Sequence, residues 1–196
     1  NLTFSPNTKR NLRLTAGRHL IANGYFQALN YSFQSIEDNL LMAETGSVAE
    51  DFIALRNPLG KDYAVLRNSL IPGLLRATVR NANQGAPTVK LFETGKRFFR
   101  HSGSDHREEE ALAVTAWGEH EPLSWRNSSV VDIDFFVFRG EIEAFLQGHC
   151  PEFKLEQHNF PWLHPGCSFS IHNSNEPAGW TGCLNEEIVR AAGLDK

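Results

Sequence analysis

The chain has 196 residues, of which 41% are hydrophobic and 21% charged, the make-up of an ordinary globular protein with ample core material. Nineteen Lys and Arg against 23 Asp and Glu leave a formal net charge of -4, which argues against a domain devoted to clamping a phosphate backbone. A chain of this length buries roughly 70% of its unfolded surface, enough for one self-sufficient domain, and no linker-like break divides it.

In chain order, Arg10 to Asn23 reads as a helix, with Leu12, Ala16 and Leu20 on one face and Ile21 beside them. Arg10, Arg13 and Arg18 line other faces. Gly17 costs about 1 kcal/mol against Ala in a helix interior, so its presence suggests close approach of a neighbour. Asn23-Gly24 ends the helix, and Tyr25 to Phe33 alternates as a strand. Ser35 followed by Glu37 and Asp38 reads as an N-cap with an acidic first turn, opening a short helix to about Ala43. Phe52 to Leu55 reads as a short strand closed by the turn Asn57-Pro58-Leu59-Gly60. Ser69 then caps a helix to about Asn83, with Pro72 in its first turn and Leu70, Leu74, Leu75 and Val79 inward.

Thr88 to Arg100 is the most regular stretch of the chain. With a period of two, Val89, Leu91, Glu93, Gly95, Arg97 and Phe99 face one way and the intervening residues the other. Glu93 and Arg97 share a face on either side of Gly95, where a side chain would block whatever packs there. A surface ion pair on a long strand is the simpler account; the floor strand of a nucleotide or amino-acid pocket is the other. A charged, glycine-bearing loop from His101 to Glu109, including the cluster Arg107 to Glu110, leads to a strand from Ala111 to Trp117, together a hairpin. Glu119 to Ser129 reads as loop. Asp134 caps a helix to about Leu146, burying Phe138, Ile142, Phe145 and Leu146. Phe153 to Gln157, Ser168 to His172 and Trp180 to Leu184 are short strands, the last two joined by a turn over Asn173 to Pro177, and Asn185 caps a final helix through Ala192. The order predicts an α+β fold: a mostly antiparallel sheet flanked by helices, not a doubly wound parallel one.

Three widely spaced cysteines, Cys150, Cys167 and Cys183, with no CxxC, fit free thiols in a reducing cytosol. His158 and His164 with Cys150 and Cys167 lack metal-ligand spacing, so packed side chains are expected there, and Trp117, Trp125, Trp162 and Trp180 are too scattered for a base-stacking platform. No apolar run approaches membrane-spanning length and no signal sequence opens the chain, which predicts a soluble, cytoplasmic protein with no membrane partner. The only methionine is Met42, which suggests an excerpt from a longer polypeptide.

Several stretches in this order carry a resemblance. Gly24-Tyr25-Phe26-Gln27-Ala28-Leu29-Asn30-Tyr31-Ser32-Phe33 follows the first helix. Next come Asn57-Pro58-Leu59, Leu66-Arg67-Asn68-Ser69-Leu70-Ile71-Pro72-Gly73, and Leu91-Phe92-Glu93-Thr94-Gly95 with Phe98. Arg139-Gly140-Glu141, His164-Pro165-Gly166-Cys167-Ser168 and Gly182-Cys183-Leu184 complete the set. From about Arg10 to Leu194 the chain resembles the class II synthetase-like core domain of bacterial phenylalanyl-tRNA synthetase beta subunits.

The resemblance implies the class II aminoacyl-tRNA synthetase fold, in which ATP activates an amino acid. That chemistry needs an arginine on the floor strand for the α-phosphate, a second on a late glycine-rich strand and helix for the γ-phosphate, and acidic groups for Mg²⁺. Laid on the family's Glu-Ile-Gly-x-x-Phe-Arg-x-Glu form, the first arginine position is Phe99 and the final glutamate is His101. A slip by one residue places Arg100 but still lacks the carboxylate. Gly179 and Gly182 are followed by Asn185, Glu186 and Glu187, and Arg190 stands too far along a helix. The proline that ends the first class II motif is also missing, with Tyr31 and Ser32 near its position. The implied role is therefore a non-catalytic one, with no catalytic, cofactor or metal residue in this domain; ATP and Mg²⁺ belong to the complete enzyme. The partner implied is the catalytic alpha subunit, in a heterotetramer that meets tRNA as a whole. The expected contact is the first helix and its exit: Arg10, Arg13, Gly17, Leu20, Ile21 and Tyr25. The alternatives are an active adenylating ligase with relocated residues, and a module binding a small ligand such as an amino acid or nucleotide.

Overall fold

The computed structural model describes residues 8–100, 105–121, 125 and 128–194, with side chains from residue 12 onward. At its centre is a hairpin of two long strands, β4 (Thr88–Arg100) and β5 (His106–Glu121), paired antiparallel from Thr88↔Gly118 to Arg100↔His106. β4 coincides with the stretch expected from its alternation, whereas β5 extends well beyond Ala111 to Trp117 at both ends. The Arg107 to Glu110 cluster, expected in a loop, therefore lies in the strand. Two of its charges pair across the hairpin, Glu108 with Lys96 at 2.5 Å and Glu109 with Arg97 at 2.6 Å, while Arg107 pairs with Glu109 in its own strand. His101 lies outside the described residues.

The hairpin's two faces carry different layers. On the even face Phe92 is buried with Leu20 and Tyr25, and Val114, Ala116 and Phe145 close around them. That layer consists of α1 (Thr8–Ala22) and α4 (Phe135–His149). Lys90 Nζ donates to Glu141 Oε1 at 2.5 Å and the Tyr25 hydroxyl to Glu141 Oε2 at 2.6 Å, tying α4 to β4. Burial first, then the hydrogen bond to Glu141, raises the Tyr25 phenol pKa, so the ring stays neutral. On the odd face lies α3 (Ile71–Asn83), whose Thr78 hydroxyl meets that of Thr115 at 3.3 Å. Leu70, Leu74 and Leu75 are buried as their spacing requires.

Three short strands precede β4. The expected single strand from Tyr25 to Phe33 is two pieces: β1 (Phe26–Gln27), parallel to β4 with Phe26 opposite Leu91, and β2 (Phe33–Gln34), antiparallel to β3 (Val65–Leu66). Between them the backbone of Asn30 and Tyr31 turns toward the side chains of Glu93 and Arg67. Phe52 to Leu55 reduces to one bridge, Ala54 to Val65. α2 (Ile36–Leu41) opens on a full capping box in which Ser35 and Asp38 each satisfy the other's backbone N–H. Ser69 caps α3 from one position outside, its hydroxyl accepting from Ile71 N at 3.2 Å.

β5 is bordered by β6 (Val131–Asp132), giving a four-stranded sheet in the order β1-β4-β5-β6, antiparallel except at β1. The remaining strands, β7 (Phe153–Gln157), β8 (Leu163–Asn173) and β9 (Glu176–Leu184), form a separate antiparallel sheet before α5 (Glu186–Ala191). Ser174 and Asn175 at the β8–β9 turn have φ of 49° and 71°, the left-handed pair of a two-residue hairpin. Trp162 and Leu163 pack on Met42 and Ile71, joining this sheet to α2 and α3. All three cysteines are free, and Cys183 is pushed up to about 12 by burial and then by the Cys167 thiol beside it. Among the described residues no helix is long and apolar enough to cross a membrane.

α1 meets the sheet through few positions. Ala16 and Leu20 are buried, while Leu12 and Ile21, expected near the same face, are exposed. A Cβ on Gly17 would stand 3.7 Å from the Phe92 ring, an ordinary contact. Gly17→Ala is therefore expected to stabilise the chain by about 1 kcal/mol, because the helix gains propensity without a clash. A urea unfolding midpoint that rises supports this packing; one that falls contradicts it.

Candidate subunit interface

The site is built outward from one buried ion pair. Arg67, just after β3, reaches across to β4, where its Nη1 donates to Glu93 Oε1 at 2.7 Å, with only 4% and 2% of the two side chains exposed. Arg67 Nε donates to the carbonyl of Lys96 at 2.9 Å. Glu93 was expected to pair with Arg97, but four residues along an extended strand span about 13 Å, beyond ion-pair reach. Arg97 instead meets Glu109, which stands directly opposite it in the ladder. Gly95 has the role expected of it: a Cβ there would lie 2.2 Å from Arg67 Nη2. What packs against Gly95 is this guanidinium.

The same pair fixes the backbone after β1. The Asn30 side chain donates to Glu93 Oε2 at 2.6 Å and its backbone N–H reaches Glu93 Oε1 at 3.4 Å. Arg67 Nη1 lies 3.5 Å from the Asn30 carbonyl and 3.4 Å from that of Tyr31. Ala28 N donates to Phe92 O at 2.7 Å and Arg67 N to Ser32 O at 3.0 Å. With Asn30 drawn inward, its neighbours turn out, Leu29 being 85% exposed and Tyr31 72%, and Phe26 on β1 is 73% exposed. Tyr31 is held edge-on against Tyr63, with centroids 5.9 Å apart. The result is an aromatic and aliphatic surface on the edge of the main sheet, a form typical of covered surfaces rather than free ones.

The residues expected at an interface divide accordingly. Leu20 and Tyr25 are buried in this chain's own core and Gly17 lies over Phe92, so these three face inward. Arg13 and Ile21 are exposed on α1, with Arg13 Nη2 donating to Thr94 Oγ1 at 3.3 Å, and the Arg10 side chain lies outside the described ones. Sequence reasoning missed Phe26, Leu29 and Tyr31, because their alternation looks like a strand with one buried face. The turn-forming Asn30 among them was the available signal.

The positions matching the synthetase pattern are also committed within the chain. Phe99 lies between the guanidinium groups of Arg97 and Arg107, at 5.0 and 5.2 Å from the ring centroid. Glu109 holds both arginines at 2.6 Å. Arg100 Nη1 donates to the Glu50 carbonyl at 2.7 Å, and Arg190 on α5 pairs with Glu186 at 2.9 Å.

The Gly95→Ala chain is expected to lose about 3 kcal/mol or more of stability, since the added methyl displaces Arg67 and leaves Glu93 buried without its partner. Denaturant unfolding checks this; a loss under about 1 kcal/mol contradicts so central a place for the pair.

Comparison with known proteins agrees with this architecture. The chain is 34% identical over 193 residues to the phenylalanine–tRNA ligase beta subunit of Pseudomonas putida, covering 97% of this chain and 24% of that protein. The beta subunits of Hahella chejuensis (31% over 192 residues; 97% and 23% covered) and Vibrio cholerae (32% over 182; 90% and 22%) are also similar. The chain thus spans about a quarter of the length of these relatives. In three dimensions it matches a pyrrolysyl-tRNA synthetase of Desulfitobacterium hafniense with a TM-score of 0.70 at 13% identity, covering 96% of this chain and 63% of that one, which shows the class II synthetase fold. The family model described as the phenylalanyl-tRNA synthetase beta chain CLM domain matches residues 2–196, and the chain belongs to that family.

Proposed function

We propose that this chain is one synthetase-like domain that does no chemistry itself and holds the catalytic alpha subunit of phenylalanine–tRNA ligase in place. The complete enzyme, a cytoplasmic heterotetramer in this reading, attaches phenylalanine to tRNA using ATP and Mg²⁺, with activation carried out in alpha. The observation that carries the proposal is the outward-facing run Phe26, Leu29 and Tyr31, pinned from beneath by Arg67 and Glu93. A preorganised surface loses little entropy on docking, and buried tyrosine and phenylalanine dominate many interfaces. Arg13 and Ile21 on α1 extend it.

The absence of catalysis is inferred from charge. A triphosphate needs several cations free to approach it. Here Arg97 and Arg107 share Glu109, Arg190 is paired, the strand position for the activating arginine holds Phe99, and the first turn of α5 is acidic. The described residues therefore do not fit ATP with Mg²⁺.

The Leu29→Asp/Tyr31→Asp double variant is expected to weaken association with the alpha subunit at least about 100-fold while leaving the unfolding midpoint of the free chain unchanged, because both side chains are at the surface. Co-purification and calorimetric titration with the alpha subunit measure this. Undiminished binding moves the interface elsewhere. The chain alone, given phenylalanine, ATP and Mg²⁺, is expected to show no amino-acid-dependent pyrophosphate exchange; exchange would favour an active ligase.

A further inference from the structure

Away from that surface, the ladder between β8 and β9 breaks step at one place. Leu163 pairs with Leu184 and Ser168 with Gly182, so four residues of β8, His164 to Cys167, stand against one residue of β9, Cys183. His164, Pro165 and Gly166 are exposed, and the ladder resumes just beyond Cys167. There the Cys167 thiol meets the Cys183 thiol as a hydrogen-bond partner. Gly182 permits the close approach: a Cβ there would lie 2.0 Å from the Cys167 carbonyl oxygen, so the two backbones touch beside the thiols.

Opposed residues of an antiparallel pair have Cα atoms roughly 4.5–5.5 Å apart, inside the span of roughly 4.4–6.8 Å that a disulfide bridges. Cys167 and Cys183 adjoin the opposed pair Ser168 and Gly182 on the same side, and their thiols share one face of the sheet. Both are free and half-buried. The third thiol is elsewhere. Cys150 is the C-cap of α4, whereas Asp134, the N-cap of that helix, adjoins Cys183. The 15 residues of α4 separate its two ends by about 22 Å.

We propose that Cys167 and Cys183 are a redox modification site, which hydrogen peroxide converts to an intrachain disulfide. The Cys167 thiolate sulfur attacks one peroxide oxygen and the O–O bond breaks. Hydroxide leaves, takes up a proton as water, and Cys167 becomes a sulfenic acid. The Cys183 sulfur then attacks the Cys167 sulfur, the S–O bond breaks, and the departing hydroxide takes the Cys183 proton to form a second water. The two thiols together lose two electrons and the peroxide gains them. Cys183 does not start the sequence, because burial and then the Cys167 thiol push it up to about 12 and hold it protonated. Oxidation of Cys167 removes the second of these causes at the step where Cys183 must ionise. In a reducing compartment such a bond is transient, reopened by thiol exchange. The site is on the β7–β9 sheet and independent of the 26–33 surface, so failure here leaves the alpha-subunit reading standing and the converse also holds.

The test is treatment of the reduced 196-residue chain with a slight excess of hydrogen peroxide, then alkylation of the remaining thiols and mass spectrometry of the digest. The expected main product is the Cys167–Cys183 cross-linked peptide, at least about tenfold more abundant than any link to Cys150 and fully reversed by dithiothreitol. Cys167 is nearly equidistant along the chain from Cys150 and Cys183, so the unfolded chain favours neither link. Oxidation in guanidinium chloride is therefore expected to abolish the preference. In Cys183→Ser, Cys167 is expected to stop at the sulfenic acid and to be captured by dimedone at least about tenfold more than in the parent chain. A digest without the Cys167–Cys183 peptide, links to Cys150 in equal amount, the same preference in guanidinium chloride, or equal dimedone capture in parent and variant overturns the proposal.

Discussion

The molecule depends on a guanidinium and a carboxylate removed from water. Arg67 and Glu93 are almost wholly buried, and each would be costly there alone. They are tolerated because the polar capacity around them is so fully used. Glu93 takes both groups of Asn30 as well as Arg67, and Arg67 also reaches backbone carbonyls on β4 and near Tyr31. Arg67's own carbonyl accepts from Phe98 N at 2.9 Å, fastening it to the same strand twice. Gly95 is the steric condition for the arrangement. A buried pair of this kind adds little net stability over an apolar substitute, but it defines geometry, since moving either partner strands a charge.

That geometry links the interior to the outer surface. Residues 28–32 make only a little regular structure, and left to themselves would be a mobile connection between two short strands. The pair beneath them sets which side chains point in and which point out. Asn30 is pulled into the sheet, and Leu29 and Tyr31 are thereby presented to solvent at the sheet's edge. A synthetase-like sheet has in this way its most buried charge pair directed at its own backbone, and its exposed apolar groups directed outward. Further along the hairpin, Arg97 on β4 and Arg107 on β5 are likewise engaged by Glu109 and by the Phe99 ring.

Much of this was legible before the structure. The bounds of β4 followed from its aromatic residues and threonines read with a period of two, and β7 was placed as a short strand over the same five residues. The caps at Ser35, Asp134 and Asn185 were readable because an N-cap is a local contract between residues two or three apart. The requirement for a glycine at position 95 was visible, though not the identity of the group that needs the room. Arg67 could not be found, because its partner is 26 residues away and is reached from a two-residue strand that no periodicity marks. The supposed Glu93–Arg97 pair failed on distance, a helix spacing applied to an extended strand. Arginines and a glycine point to α1 and its exit as an interface, yet three of the six residues expected there, Gly17, Leu20 and Tyr25, face this chain's own core. The exposed run beside them is encoded by long-range hydrogen bonds that sequence pattern does not carry.

The central claim is that the segment 26–33, held by Arg67 and Glu93, is where the alpha subunit rests. Amide hydrogen exchange of this chain, free and mixed with the alpha subunit, addresses it directly. The account predicts that slowed exchange on binding concentrates in residues 26–33 and the exposed side of α1. Unchanged exchange there, with new protection appearing only on α5 or the β7–β9 sheet, would contradict it.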